Sequence, residues 1–133
     1  MDKLEYIPGD FISVYLGVKK YIVEVIGTEN ENEVLSYQIK FPNGEIQYAD
    51  KDNIVPIPLT PEILKKNGWK NDGYDWYKLP TKRAYLYITK DIITLGEFLV
   101  CVGLDRHNLA SINFVHQLQH IFFSLNINHK MEV

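Results

Sequence analysis

The sequence predicts an α+β protein, with a small curled β-sheet or barrel followed by a short helix, an antiparallel meander and a closing helix packed on it. Three observations lead there. Residues 1–58 are cut into short β-branched and aromatic runs separated by turn residues. A fully punctuated helix follows at 60–68. Near the end Val115, Leu118, Phe122 and Leu125 fall at i, i+3, i+7 and i+10, the stripe of a helix with one buried face.

The strands come first. Residues 10–16 form an apolar run ended by Gly17, and 21–26 is rich in β-branched residues. Residues 28–33 are polar and predict a loop. Residues 34–41 alternate, placing Leu35, Tyr37, Ile39 and Phe41 on one face. Pro42-Asn43-Gly44-Glu45 is the best turn in the chain, because Asn-Gly tolerates the positive φ of a tight hairpin. Residues 46–48 return from it and 53–57 close the set. So many short strands cannot bury both faces of a flat sheet. A strongly curled sheet, or a barrel that hides its edges, meets that difficulty. Pro8-Gly9-Asp10, two strands and an Asn-Gly hairpin together resemble small SH3-like barrels, a likeness that implies no ligand.

Pro56-Ile57-Pro58 breaks the strand pattern. In the helix after it, Thr60 caps the first turn, Pro61 takes the first helical position and Gly68 ends it in a left-handed conformation. Residues 74–79, 83–89 and 92–102, the last with a break at Gly96, predict the meander; 103–108 reads as a loop. The closing helix starts between 111 and 114 and runs to about 125. Two units are expected, 1–58 and 59–133. They should pack closely, since Pro56-Ile57-Pro58 is too short and stiff to be a free linker.

Composition narrows function by exclusion. An apolar fraction of 46% with 23% charged residues belongs to a folding chain. The net charge of −3 divides into −5 over 1–58, from five Lys/Arg and ten Asp/Glu, and +2 over 59–133. Neither half has the clustered positive charge that duplex binding needs, so nucleic acid is not the favoured partner. The single cysteine, Cys101, lies in an apolar run and reads as an inert core thiol. No secretory signal or membrane span is visible, which predicts a cytoplasmic protein.

No catalytic motif stands out. His116 and His120 share a helix face at a metal-capable spacing, but Gln117 stands where a His-Glu-x-x-His peptidase needs its glutamate base. The expectation is therefore no metal, no cofactor and no catalytic set. The glycines are scattered at turns rather than gathered into a phosphate cradle, and Asp50, Asp52, Asp72 and Asp75 read as solvated turn residues. The aromatic residues offer more. Tyr74, Trp76 and Lys78 alternate on one strand and Tyr85, Tyr87 and Thr89 on the next, with Lys82 and Arg83 nearby. Rings on a sheet beside cations can stack unpaired bases or grip a peptide; the alternative is that they pack beneath the closing helix or pair across strands. The candidate binding residues are Trp76, Tyr85, Tyr87, Lys82, Arg83, His116 and Gln117.

Two segments carry a resemblance. The run from Pro58-Leu59-Thr60-Pro61-Glu62-Ile63-Leu64 to Gly68-Trp69, and the later Val115-His116-Gln117-Leu118-Gln119-His120, resemble a group of small uncharacterised proteins. That group occurs in Bacteroides-type gut bacteria and in their phages and mobile elements. In it a Pro-Leu-Thr helix precedes a meander and a Val-His-Gln-Leu-Gln-Asn run opens a final helix; here His120 replaces the usual asparagine. The resemblance covers mainly 57–133 and implies a mobile-element origin without implying an activity. The function expected is a non-catalytic module that binds another protein through its β-unit or the exposed side of its last helix. The alternative is a single-strand nucleic-acid binder using the aromatic face. A metal-dependent enzyme using His116 and His120 comes third.

Overall fold

The computed structural model describes residues 6–31, 34–71, 76–82, 85–90, 97–103 and 105–133. Among them ten strands form two antiparallel five-stranded sheets, and two α-helices follow the first sheet in the chain. The α+β class predicted from sequence is the class observed.

The first sheet comprises β1 (Phe11–Leu16), β2 (Lys19–Glu31), β3 (Val34–Lys40), β4 (Ile46–Asp50) and β5 (Ile54–Pro56), in the spatial order β4-β3-β2-β1-β5. Strands consecutive in sequence, β4 and β5, therefore occupy opposite edges. On a flat sheet those edges would lie about 19 Å apart, at about 4.8 Å per strand spacing. The link between Asp50 and Ile54 is a 3-10 turn, Lys51–Asn53, and four residues reach at most about 14 Å even when extended. The sheet must curl. Of the two architectures the sequence left open, the curled sheet is the one that forms. Its ladder ends at β4 and β5, so the described strands close no barrel.

The concave face holds one core: Ile12 and Val14 from β1, Val23 and Val25 from β2, Tyr37 and Ile39 from β3, Ala49 and Ile54, with Tyr6 from the preceding segment. Period-2 alternation produces this set, and the predicted face of β3 is correct: Tyr37, Ile39 and Phe41 are buried, and Leu35 packs against them. The hairpin between β3 and β4 turns on Gly44, at φ 92°, while the Asn43 side chain accepts from the Glu45 N–H at 2.9 Å. One polar segment departs from expectation. Residues 28–31 continue β2 and pair with 34–37 across the chain. Ladder hydrogen bonds need no apolar side chains, so a polar composition did not prevent strand pairing.

The helix that follows the first sheet is bounded by the residues expected of it. Thr60 Oγ1 accepts from the Ile63 N–H at 3.2 Å, Pro61 begins α1 (Pro61–Lys66), and Gly68 follows it at φ 89°. The second sheet has the order β10-β9-β8-β7-β6, from β6 (Lys70–Asn71), β7 (Tyr77–Pro80), β8 (Tyr85–Lys90), β9 (Phe98–Val102) and β10 (His107–Ile112). β10 begins inside the loop expected at 103–108 and runs on to Ile112. Its alternation is broken by a bulge between Asn108 and Ala110, which hides the period-2 signal.

One face of this sheet is covered by α1 and by α2 (Val115–Ser124). Leu64, Trp69, Leu86, Ile88, Phe98, Val100, Ile112, Val115, Leu118 and Phe122 make the second core, with the Trp69 and Phe122 rings stacked at 6.3 Å. The predicted stripe of α2 is the buried one; Leu125 completes it from a partly buried position. No described helix is long and apolar enough to cross a membrane.

The two segments that carry the resemblance meet in space. Leu59 N–H donates to Asn113 O and Val115 N–H to Ile57 O, both at 2.9 Å, around a bridge between Pro58 and Phe114. The Pro-Leu-Thr run thus aligns the start of α2.

Candidate functional site

Two neighbourhoods hold the residues of chemical interest: the polar side of α2 and the face of the second sheet turned away from it. On α2, Gln117 Oε1 accepts from the backbone N–H groups of Asn113 at 2.9 Å and Phe114 at 3.1 Å. It satisfies donors that the chain entering the helix would otherwise leave orphaned. Gln119 is fully buried. Its Oε1 accepts from the Phe11 N–H at 2.9 Å, and its Nε2 donates to Gly9 O and His129 O, each at 2.8 Å. One amide therefore ties α2 to the start of β1 and to the C-terminal segment. Gly9 is required there twice over: its φ is 98°, and an added Cβ would fall 2.5 Å from His129 Nε2.

The histidines complete this seam. His120 Nε2 lies 2.7 Å from Asp10 Oδ2, and the same oxygen accepts from the Ile7 N–H at 2.9 Å. Asp10 is fully buried and its Oδ1 has no partner. His116 is packed against the rings of Tyr6 at 4.8 Å and Phe114 at 5.9 Å, with its Nδ1 buried and unpaired. Burial pulls the His116 pKa down to about 4; the Asp10 carboxylate opposes the shift and His120 adds to it. At neutral pH the ring is uncharged and sealed. The His116 and His120 rings meet edge to face at 5.5 Å. Among the described residues no group of three His, Cys, Asp or Glu side chains is placed to hold a metal. An aspartate-oriented imidazole can serve as a general base, but among the described residues the hydrogen bond of His120 runs to Asp10 and to no hydroxyl or thiol.

The second neighbourhood lies on the other side of its sheet. Leu86 and Ile88 point into the core, so Tyr85, Tyr87 and Thr89 point away from α2. Of the described aromatic residues in the predicted set, Trp76, Tyr85 and Tyr87 do not lie beneath the closing helix. Tyr87 is nevertheless only 4% exposed. Trp76 meets it edge to face at 6.2 Å, and the Arg106 guanidinium caps both rings at 4.5 and 4.7 Å. Trp76 and Tyr87 thus form a closed cation–aromatic cluster rather than an open stacking platform. In register with Tyr87 sits Cys101, a buried thiol directed at Asn108 Oδ1 (3.2 Å). Burial raises its pKa and Arg106 partly offsets the rise, which keeps it a poor nucleophile.

Tyr85 is different. It is 40% exposed, with the Lys78 ammonium 4.4 Å from its ring centroid. Together with Lys70, Asn71, Lys78 and Pro80 it lines a depression of about 400 Å³. Lys82 is exposed beside a second depression of about 500 Å³, shared with Thr81 and 126–128. Arg83, Tyr74, Asp72 and Asp75 lie outside the described residues.

Of the predicted set, then, Tyr85 and Lys82 are accessible, Trp76 and Tyr87 face each other under Arg106, and His116 and Gln117 belong to the seam. Sequence reasoning missed Asp10, Lys70 and Arg106. Only Pro8-Gly9-Asp10 carried a local signal, and that signal was for a turn. Comparison with family models, with curated proteins and with solved structures finds no match for this chain.

Proposed function

We propose that the protein is a non-catalytic interaction module of mobile-element origin that acts in the cytoplasm and docks another protein through the hairpin end of its curled sheet. The carrying observation is the hairpin between β1 and β2. Val18 at its tip is 97% exposed, and Tyr15, Leu16, Tyr21 and Ile22 are exposed around it. Ile46 and Tyr48 add two more exposed apolar side chains on β4. Isolated surface hydrophobics are ordinary, whereas a run concentrated on one hairpin marks an interaction site. The last helix is the weaker alternative, since Phe123 is its one exposed large apolar residue. That Gln117 and Gln119 serve as helix cap and seam supports a non-catalytic reading of the C-terminal motif. The mobile-element origin rests on the resemblance of the Pro-Leu-Thr and His-Gln-Leu-Gln segments.

The test is affinity purification with the wild-type chain and a Leu16→Asp/Val18→Asp variant of unchanged melting temperature. A partner recovered in stoichiometric amount by the wild type and lost from the variant is the expected result. Equal recovery by both chains overturns the reading.

A further inference from the structure

The depression at the outer edge of the second sheet contains an electrostatic arrangement that folding alone does not explain. Lys70 on β6 and Lys78 on β7 are direct cross-strand partners in an antiparallel ladder, so their side chains leave the same face side by side. Like charges placed directly opposite destabilise a strand pair. Lysine on an edge strand discourages edge-to-edge aggregation, which accounts for Lys70 but not for Lys78 on the strand behind it. Among the described residues no carboxylate forms a salt bridge with either ammonium. An anion seated between them would relieve the repulsion.

The surroundings say what the anion carries. Lys78 holds its ammonium over the Tyr85 ring, so charge and aromatic surface are organised together before anything binds. Tyr85 and Pro80 supply a half-exposed aromatic and ring-apolar wall; the volume of about 400 Å³ falls within the roughly 300–1,000 Å³ of small-molecule sites. The geometry points to a nucleotide site: a phosphate between Lys70 and Lys78, with its sugar and base against Tyr85 and Pro80. Pro80 leads through Thr81 to Lys82, which lines a second depression. A second phosphate along a single strand has a cation to meet there. Trp76 and Tyr87, closed under Arg106, take no part.

The same chemistry is presented by a free nucleotide and by a single strand, and titrations separate them. Thymidine 5′-monophosphate and a 15-residue single-stranded oligothymidylate are titrated into the full-length protein by calorimetry and fluorescence anisotropy. The expected result is binding of both, weakened about ten-fold or more in Lys70→Gln/Lys78→Gln and in Tyr85→Ala, and unchanged in Lys20→Gln. Lys82→Gln weakens the oligonucleotide alone if the strand is the ligand, and neither probe if the free nucleotide is. Oligonucleotide affinity falls as salt rises, with a log–log slope of about −1 to −2 for the two or three cations engaged. Inorganic phosphate should raise the melting temperature of the wild type and of Tyr85→Ala, but not of Lys70→Gln/Lys78→Gln. That melting readout also shows each variant to be folded. Absence of binding by both probes overturns the proposal, as does binding indifferent to the lysine pair or capture of a polyglutamate peptide in place of both. The hairpin variant Leu16→Asp/Val18→Asp should bind nucleotide normally, so this site and the docking reading fail independently.

Discussion

The polar side of α2 and the outer edge of the second sheet look alike in composition, each with amides, aromatic rings and ionisable groups. Their difference lies in where the polar atoms are directed. Along α2, Gln117, Gln119 and His120 direct their polar atoms at partners within the chain, and His116 is neutral and enclosed. At the sheet edge, Lys70 and Lys78 have one another as neighbours and Tyr85 stays half open. A conspicuous motif can be fully consumed by folding, whereas an inconspicuous pair of lysines retains unsatisfied charge. Function is better sought where electrostatics are left unbalanced.

That contrast can be broken by measurement, starting with the largest effect. Gln119→Leu should destabilise the protein by about 3 kcal/mol in urea titration, because it strands the Phe11 N–H and the carbonyls of Gly9 and His129. A loss below about 1 kcal/mol would remove the seam as the explanation of the motif.

His116 comes next. With a folded pKa of about 4 against an ordinary 6.5, the unfolded chain binds the extra proton between those values. Stability is therefore full above pH 6.5 and falls as the pH drops through the window toward 4. Between pH 7 and pH 5 the contribution of this group is about 2 kcal/mol, and it should vanish from the difference between wild type and His116→Phe. Parallel curves for the two proteins would show that His116 is not sealed.

Gln117→Ala should cost about 1 kcal/mol, the usual value of a helix-entry cap, read from the same urea midpoints. Smallest of all, Tyr85→Ala should change stability by no more than about 0.5 kcal/mol, as expected of an exposed position outside the core. A loss comparable to that of Gln119→Leu would make the sheet edge as structural as α2 and dissolve the comparison.

The two segments singled out in the sequence sharpen the same point. They are adjacent in space, and the residues that make them recognisable cap α1, cap α2, fill the core or bind the seam. Patterns of this kind identify a way of folding more readily than an activity.

The elements read correctly from the sequence share one property, that their determinants lie within a turn or two of one another. Thr60, Pro61 and Gly68 punctuate α1, alternation marks β3, and the 3.6-residue stripe of α2 needs only its own residues. Cys101 was legible as a buried thiol for the same reason, its apolar neighbours being adjacent in the chain. What tertiary structure decided depends on strand register and on contacts between distant segments. The partners of Gln119 at Gly9 and Phe11 lie 110 and 108 residues away, and His120 meets Asp10 across 110. β6 has two residues and no pattern of its own, so nothing before folding could place Lys70 opposite Lys78. Nor could the sequence show that Arg106 would close over Trp76 and Tyr87, since a residue held at φ 53° in a connecting turn makes that contact. Local order follows from backbone preference and periodicity. The charge left over at the sheet edge follows from which strands pair and in what register, a choice made by the whole chain when it packs.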